Sequence, residues 1–91
     1  MREKARIACL ARLRRIEGQV RGIARMVEND RYCIDVLAQV AAVRAALKGV
    51  EEVVLKDHVE HCVENAIRSG DPAEQREKVE ELLGVLRKLS P

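Results

Sequence analysis

The sequence predicts an all-α fold, and three observations carry that expectation. Apolar side chains recur every three or four residues along most of the chain. The strict alternation of a strand never persists, and turn pairs such as Asn-Gly are missing. Gly70 and Pro72 fall where one helix would stop and the next begin. The predicted architecture is a long antiparallel helical hairpin followed by a short C-terminal helix, in a single domain covering residues 1–91.

The first helix is expected over Glu3 to Glu28, with Ile7, Leu10, Leu13, Ile16, Val20, Ile23 and Val27 as its buried stripe. Gly18 and Gly22 lie one turn apart. Each costs ~1 kcal/mol relative to alanine inside a helix, so the pair suggests close packing against another backbone. A link at Asn29 and Asp30 folds the chain back, with Asp30 expected as the N-cap of the second helix. That helix should run to about Ser69. It contains no proline and only one glycine, Gly49, while Ile34, Leu37, Val40, Ala41, Leu47, Val50 and Val54 keep the helical period. About 39 residues at ~1.5 Å each make a rod of roughly 58 Å, too long for one small globule. Gly70 supplies a left-handed C-cap. Asp71, Pro72 and Glu74 then read as N-cap, first-turn proline and capping-box acid of the third helix, which carries Val79, Leu82, Leu83, Leu86 and Leu89 and ends with Ser90 and Pro91.

Three residues on the long rod carry chemistry: Cys33, His58 and Cys62. His58 and Cys62 are four apart, so they stand roughly 40° apart around an α-helix and can reach one ligand. Cys33 precedes His58 by 25 residues, roughly 37 Å along an unbroken helix. It cannot join that pair within its own chain. Two copies packed antiparallel about a twofold axis would bring Cys33 of one to His58 and Cys62 of the other. That register places the crossing near residue 46, where Ala41, Ala42, Ala45 and Ala46 permit close approach. The spacing predicts a dimer with two equivalent sites. Two thiolates and an imidazole form a soft donor set that favours Cu(I), with Zn(II) as the chief competitor; structural zinc prefers four ligands, whereas this set has three. His61 is the available fourth donor. The plain alternative is that free cysteines on helices act as small hydrophobes, which is the reading given to Cys9.

With 91 residues and Tyr32 as the one aromatic side chain, the chain's private core must be thin. Apolar residues nevertheless make up 47% of it, which excludes a disordered segment and points the surplus apolar surface toward self-association. No apolar run approaches the ~18 residues of a membrane span, and MREKARIACLARLRR lacks a signal peptide's apolar core, so a cytoplasmic protein with reduced thiols is expected. The net charge of +2 is unevenly spread, with nine basic and four acidic residues before position 32 and eight basic and eleven acidic from there on. Arg12, Arg14, Arg15 and Arg21 lie in the basic part, which in an oligomer suits duplex DNA. Helix-turn-helix, zinc-finger and basic-zipper patterns are not evident, nor are aromatic platforms for single strands. No nucleophilic triad or phosphate loop is visible, so neither catalysis nor a small organic substrate is expected.

These segments carry a resemblance: RLRRIEGQVRGIARM from Arg12 to Met26, DRYCID from Asp30 to Asp35, AVRAA from Ala42 to Ala46, and DHVEHC from Asp57 to Cys62. Over nearly the whole chain the sequence resembles the CsoR/RcnR family of bacterial metal-sensing repressors. Copper(I) sensors of that family have Cys, His and Cys at the positions of Cys33, His58 and Cys62. Nickel and cobalt sensors carry extra histidines, and persulfide sensors lack the middle one. The resemblance implies an all-helical homotetramer, a dimer of dimers, that binds operator DNA when metal-free and releases it with Cu(I). It also implies a tyrosine beside the first cysteine, matched by Tyr32, and a third-helix glutamate, taken as Glu77 in preference to Glu74 or Glu80, hydrogen-bonded to the site. The family's DNA-contacting positions map to Arg12, Arg14 and Arg15, with Lys48 near a mid-helix basic position. The match departs from some relatives at Gly49, where they carry a basic side chain. The competing readings are a repressor of the same fold sensing zinc, nickel, cobalt, formaldehyde or a persulfide, and a copper carrier that never touches DNA.

Overall fold

A computed structural model describes residues 1–89. Helix α1 spans Glu3–Glu28 and α2 spans Cys33–His58. A π-helical turn, Val59–Val63, leads into α3, Glu64–Ser69, and α4 follows over Pro72–Leu89. Because α2, the π turn and α3 are continuous, the chain makes three rods, as the periodicity predicts, and there is no strand among the described residues. The expected end at Ser90 and Pro91 lies outside the described residues.

The hairpin is held along a narrow seam. Arg2, Cys9, Ile16 and Ile23 repeat every seven residues on α1 and its lead-in, as do Val36, Val43, Val50 and Asp57 on α2. Side chains at that spacing stay on one helical face, as in coiled coils. Cys9, Ile16, Val43 and Asp57 are buried, while Ile23, Val36 and Val50 are half-buried. The bond from Arg2 Nε to Asp57 Oδ1, 3.0 Å long, fixes the register. Counting in opposite directions from it sets Cys9 abreast of Val50 and Ile16 abreast of Val43.

The stripe expected on α1 is mostly not buried. Of its seven members only Ile16 is; Ile7 remains 58% exposed, Val20 50% and Val27 60%. The reason is geometric: one partner helix covers one row of side chains, and the rest of the apolar arc faces outward. The molecule measures 58 × 28 × 13 Å. Its least dimension is about that of a single helix with side chains. Ile34, Leu37, Val40, Leu47 and Val54 of α2 are exposed in the same way. Gly18 meets nothing within 4 Å and Gly22 only a side-chain nitrogen of Arg25 at 3.9 Å, so neither is pressed by another backbone of its own chain.

The turn between α1 and α2 corrects the expected role of Asp30. Its φ is +52°, in the left-handed region. The Arg31 amide donates to the Met26 carbonyl at 3.0 Å and the Asp30 amide to Val27 at 3.2 Å. That pair of bonds is a Schellman ending, so Asp30 closes α1 instead of opening α2. Asn29 adds a side-chain bond to the Arg25 carbonyl. Helix α2 starts three residues later: Tyr32 is its N-cap, without a side-chain cap bond, and the Tyr32 carbonyl accepts from Asp35 and Val36.

At the other end Gly70 takes φ +70° as the C-cap of α3. Asp71 accepts from the Ala73 amide at 3.0 Å, as expected of an N-cap. The reciprocal arm differs from the capping box: the Asp71 amide donates to Ser69 Oγ, and Glu74 is not involved. Gln75 reaches back to the Ile67 carbonyl, and α4 folds over α3 and the π turn.

Candidate metal centre and basic surface

Cys33 is the first residue of α2 and is exposed. His58 is the last residue of the same helix, and Cys62 lies in the π turn; both are half-buried. Among the described residues no group of three or more His, Cys, Asp or Glu side chains gathers as a metal site would. The structure brings His58 and Cys62 to one end of the molecule and leaves Cys33 at the other. His61 is exposed on the π turn.

The π turn changes the local geometry expected from the spacing. A π turn closes i→i+5 bonds and holds more residues than an α turn. Four residues therefore fall short of a full circuit instead of overshooting it, which still leaves His58 and Cys62 on one side of the rod.

His58 opens onto a cavity of about 360 Å³ between α2 and α4, lined by Val50, Val54, Leu55, Leu82, Val85 and the carboxylate-bearing Glu51 and Glu81, with Leu89 at its edge. The α4 glutamate that shares this cavity is Glu81, one turn beyond Glu77. No hydrogen bond joins Glu77 to His58 among the described residues. Glu81 accepts from Lys78 Nζ at 3.1 Å. That bond holds the Lys78 ammonium above the usual lysine range, with smaller contributions from Glu77 and the Cys62 sulfur. Tyr32, beside Cys33, is 66% exposed.

The opposite side of the same turn is gripped by the N-terminal segment. Asp57, 7% exposed, accepts from Arg2 Nε at 3.0 Å and from the Arg2 amide at 3.3 Å, and Arg2 Nη2 donates to Glu60 at 2.9 Å. The guanidinium holds the Asp57 carboxyl below its ordinary value, against the opposing effect of burial. Sequence reasoning passed over Arg2, Asp57, Glu60 and Glu81. A signal for Asp57 was present: it continues the seven-residue row of Val36, Val43 and Val50, and a carboxylate in an apolar row requires a partner.

Arg12, Arg14, Arg15 and Arg21 are exposed along α1, and Lys48 is exposed on α2. Arg12 crosses the hairpin. Its Nη1 lies 3.0 Å from where a β-carbon on Gly49 would stand, next to Lys48. The departure at Gly49 is thus filled by a guanidinium from the neighbouring helix. No helix among the described residues is long and apolar enough to cross a membrane.

Residues 5–88 match the family described as metal-sensitive transcriptional repressor. The chain is 56% identical over 79 residues to the copper-sensing transcriptional repressor CsoR of Bacillus subtilis, covering 87% of this chain and 75% of that protein. It is 59% identical over 61 residues to the copper-sensing transcriptional repressor RicR of Mycobacterium tuberculosis, covering 67% of this chain and 64% of that protein. The fold superposes on the crystal structure of the copper-sensing repressor CsoR with Cu(I) from Geobacillus thermodenitrificans with a TM-score of 0.89 and 41% identity, over 100% of this chain and 92% of that one. With the match running from the start of α1 almost to the end of α4, and with the helical architecture shared throughout, the chain belongs to the CsoR/RcnR family of metal-sensitive transcriptional repressors.

Proposed function

We propose that the chain is a copper(I)-responsive repressor whose metal-free form holds operator DNA and whose copper-bound form lets it go. The observation that carries the reading is the separation of Cys33 from His58 and Cys62 along one continuous rod, with all three side chains at least partly accessible. A soft donor set divided in this way is complete only between two chains. The chemistry of two thiolates and an imidazole fits Cu(I), and three donors match its low coordination number better than they match structural zinc. Similarity to proteins named as copper sensors supports the same ion.

Dimerisation follows from the same flatness that exposes the α1 and α2 stripes. Burying an Ile, Leu or Val side chain fully contributes ~1.5–3 kcal/mol, so covering Ile7, Leu10, Leu13, Ile34 and Leu37 against a second copy is strongly favourable. A homotetramer formed from two such dimers would line up Arg12, Arg14, Arg15, Arg21 and Lys48 for duplex phosphates. As a DNA-binding repressor the protein would act in the cytoplasm.

When bound, Cu(I) supplies a cross-link between the start of one α2 and the end of another. In this reading His58 passes the change to α4 across the cavity it shares with Glu81, a better-placed acid than Glu77, and Tyr32 flanks Cys33. Coupling of ~1–3 kcal/mol would weaken DNA binding about 5- to 150-fold.

The test is titration of reduced protein on its promoter DNA with Cu(I), in parallel with Zn(II), Ni(II), Co(II), formaldehyde and a persulfide. Stoichiometric Cu(I) should release the DNA while the others leave it bound. Release by another agent alone would assign a different signal, and copper uptake without salt-dependent DNA binding by the apo form would indicate a carrier. His58→Ala should retain partial copper binding through Cys33 and Cys62 but lose most of the release.

A further inference from the structure

We infer that Arg2 is a positioning residue, a clasp through which the turn bearing His58 and Cys62 moves the basic helix α1. The inference deepens the repressor reading and rests on it for its biological meaning, but the contact itself is a property of the fold. Among the described residues, all side-chain hydrogen bonds and ion pairs between α1 with its lead-in and the α2–π rod originate at Arg2. The remainder of the seam is Cys9, Ile16, Ile23 and their valine counterparts, which make no directional bonds.

The two residues held by Arg2 bracket His58. Asp57 precedes it in the last turn of α2, and Glu60 lies in the π turn, two residues before Cys62. One guanidinium therefore spans the junction between α-helical and π-helical backbone. Its planar fork suits two carboxylates at once, an arrangement that an ammonium cannot reproduce. Asp57 faces α1 while His58 faces the α4 cavity, so the turn is coupled on both sides. A rearrangement of the π turn must carry Glu60 with it or break the bond to Arg2. Arg2 is itself the N-cap of α1, and the displacement enters the helix that holds Arg12, Arg14 and Arg15 at its N-terminal cap.

Two measurements decide the matter on the full chain. The first is hydrogen exchange on the apo protein, without DNA or metal. Arg2→Ala should accelerate amide exchange across Val59–Val63 by tenfold or more, and Asp57→Asn should do the same for Arg6 to Leu10, about fifty residues away. Arg2→Lys should fall between wild type and Arg2→Ala, because it keeps the charge but loses the fork. Absence of either reciprocal effect overturns the clasp, whatever the protein does with copper.

The second measurement compares operator affinity with and without Cu(I). Arg2→Ala should take up as much Cu(I) as wild type yet lose at least fivefold of the copper-dependent weakening. A wild-type fold-change in that variant overturns the coupling role. Failure of wild type itself to respond to copper would instead count against the repressor reading and leave the exchange result to decide the clasp.

Discussion

Arg12 lies across the hairpin over Gly49, its Nη1 3.0 Å from the point where a side chain on Gly49 would begin. The notch on α2 is the seat of the α1 guanidinium. In helix interiors glycine is less stable than alanine by ~1 kcal/mol, so its use here has a local cost that Arg12 helps to explain.

Gly49→Ala should therefore separate stability from DNA binding. The added methyl group restores helix propensity, and the flexible end of Arg12 can give way by a few tenths of an ångström, so thermal unfolding should show a gain of up to ~1 kcal/mol. The displaced guanidinium should weaken operator binding several-fold at fixed salt, and Gly49→Val more so. Unchanged affinity in both variants would remove Arg12 from the DNA-contacting set.

Asp30 offers a second separation. An L-residue in the left-handed region carries a steric cost of ~1 kcal/mol, somewhat relieved for Asp, and glycine does not. Asp30→Gly should raise the stability of the hairpin by about 0.5–1 kcal/mol in chemical denaturation. Asp30→Val should lower it, because a β-branched side chain is excluded from that conformation.

The proposed sharing of one site between two chains is open to complementation. Neither Cys33→Ser nor Cys62→Ser should bind Cu(I) tightly alone. A mixed dimer of the two variants contains one site with every donor intact and one lacking both sulfurs. It should take up half the copper of wild type with wild-type strength. A mixture that remains as weak as its parents would show that the three donors do not meet across a dimer.

The Asp57 carboxyl gives the apo protein a defined acid response. Arg2 lowers its value from the ordinary 3.8 in the folded state. The unfolded chain consequently binds this proton more readily, and the stabilisation is fully present above pH 3.8 and lost as pH falls below it through the depressed value. The stability difference between wild type and Asp57→Asn should be constant from pH 5 to 7 and shrink toward pH 2, as followed by urea unfolding. A difference independent of pH would mean that the carboxylate charge is not what Arg2 recognises.

The helices were legible because their signals act locally: apolar spacing marked Glu3 to Glu28, and Gly70 with Pro72 marked the break between α3 and α4. Asp30 was misplaced because an aspartate between two helices can end one or begin the other, and only backbone dihedrals distinguish the cases. The α1 stripe was identified correctly as apolar, but its burial depends on what lies opposite, which one chain does not encode. Cys33, His58 and Cys62 could be singled out as candidate ligands because rod length is simple arithmetic, and the continuous rod keeps Cys33 apart from the other two within one chain. Arg2 was not, since a basic residue near a terminus has no pattern until its carboxylate partner is known. The π turn likewise has no signature in VEHCV.

A body scarcely thicker than one helix has two outsides and almost no inside. In the proposed dimer much of what would ordinarily be a private interior would be borrowed from a second molecule, so dilution would act on this protein as a mild denaturant. Supply of the chain and survival of its fold are then a single variable: a cell making few copies would hold them partly apart and open to proteolysis, and abundance itself would set how many competent regulators exist.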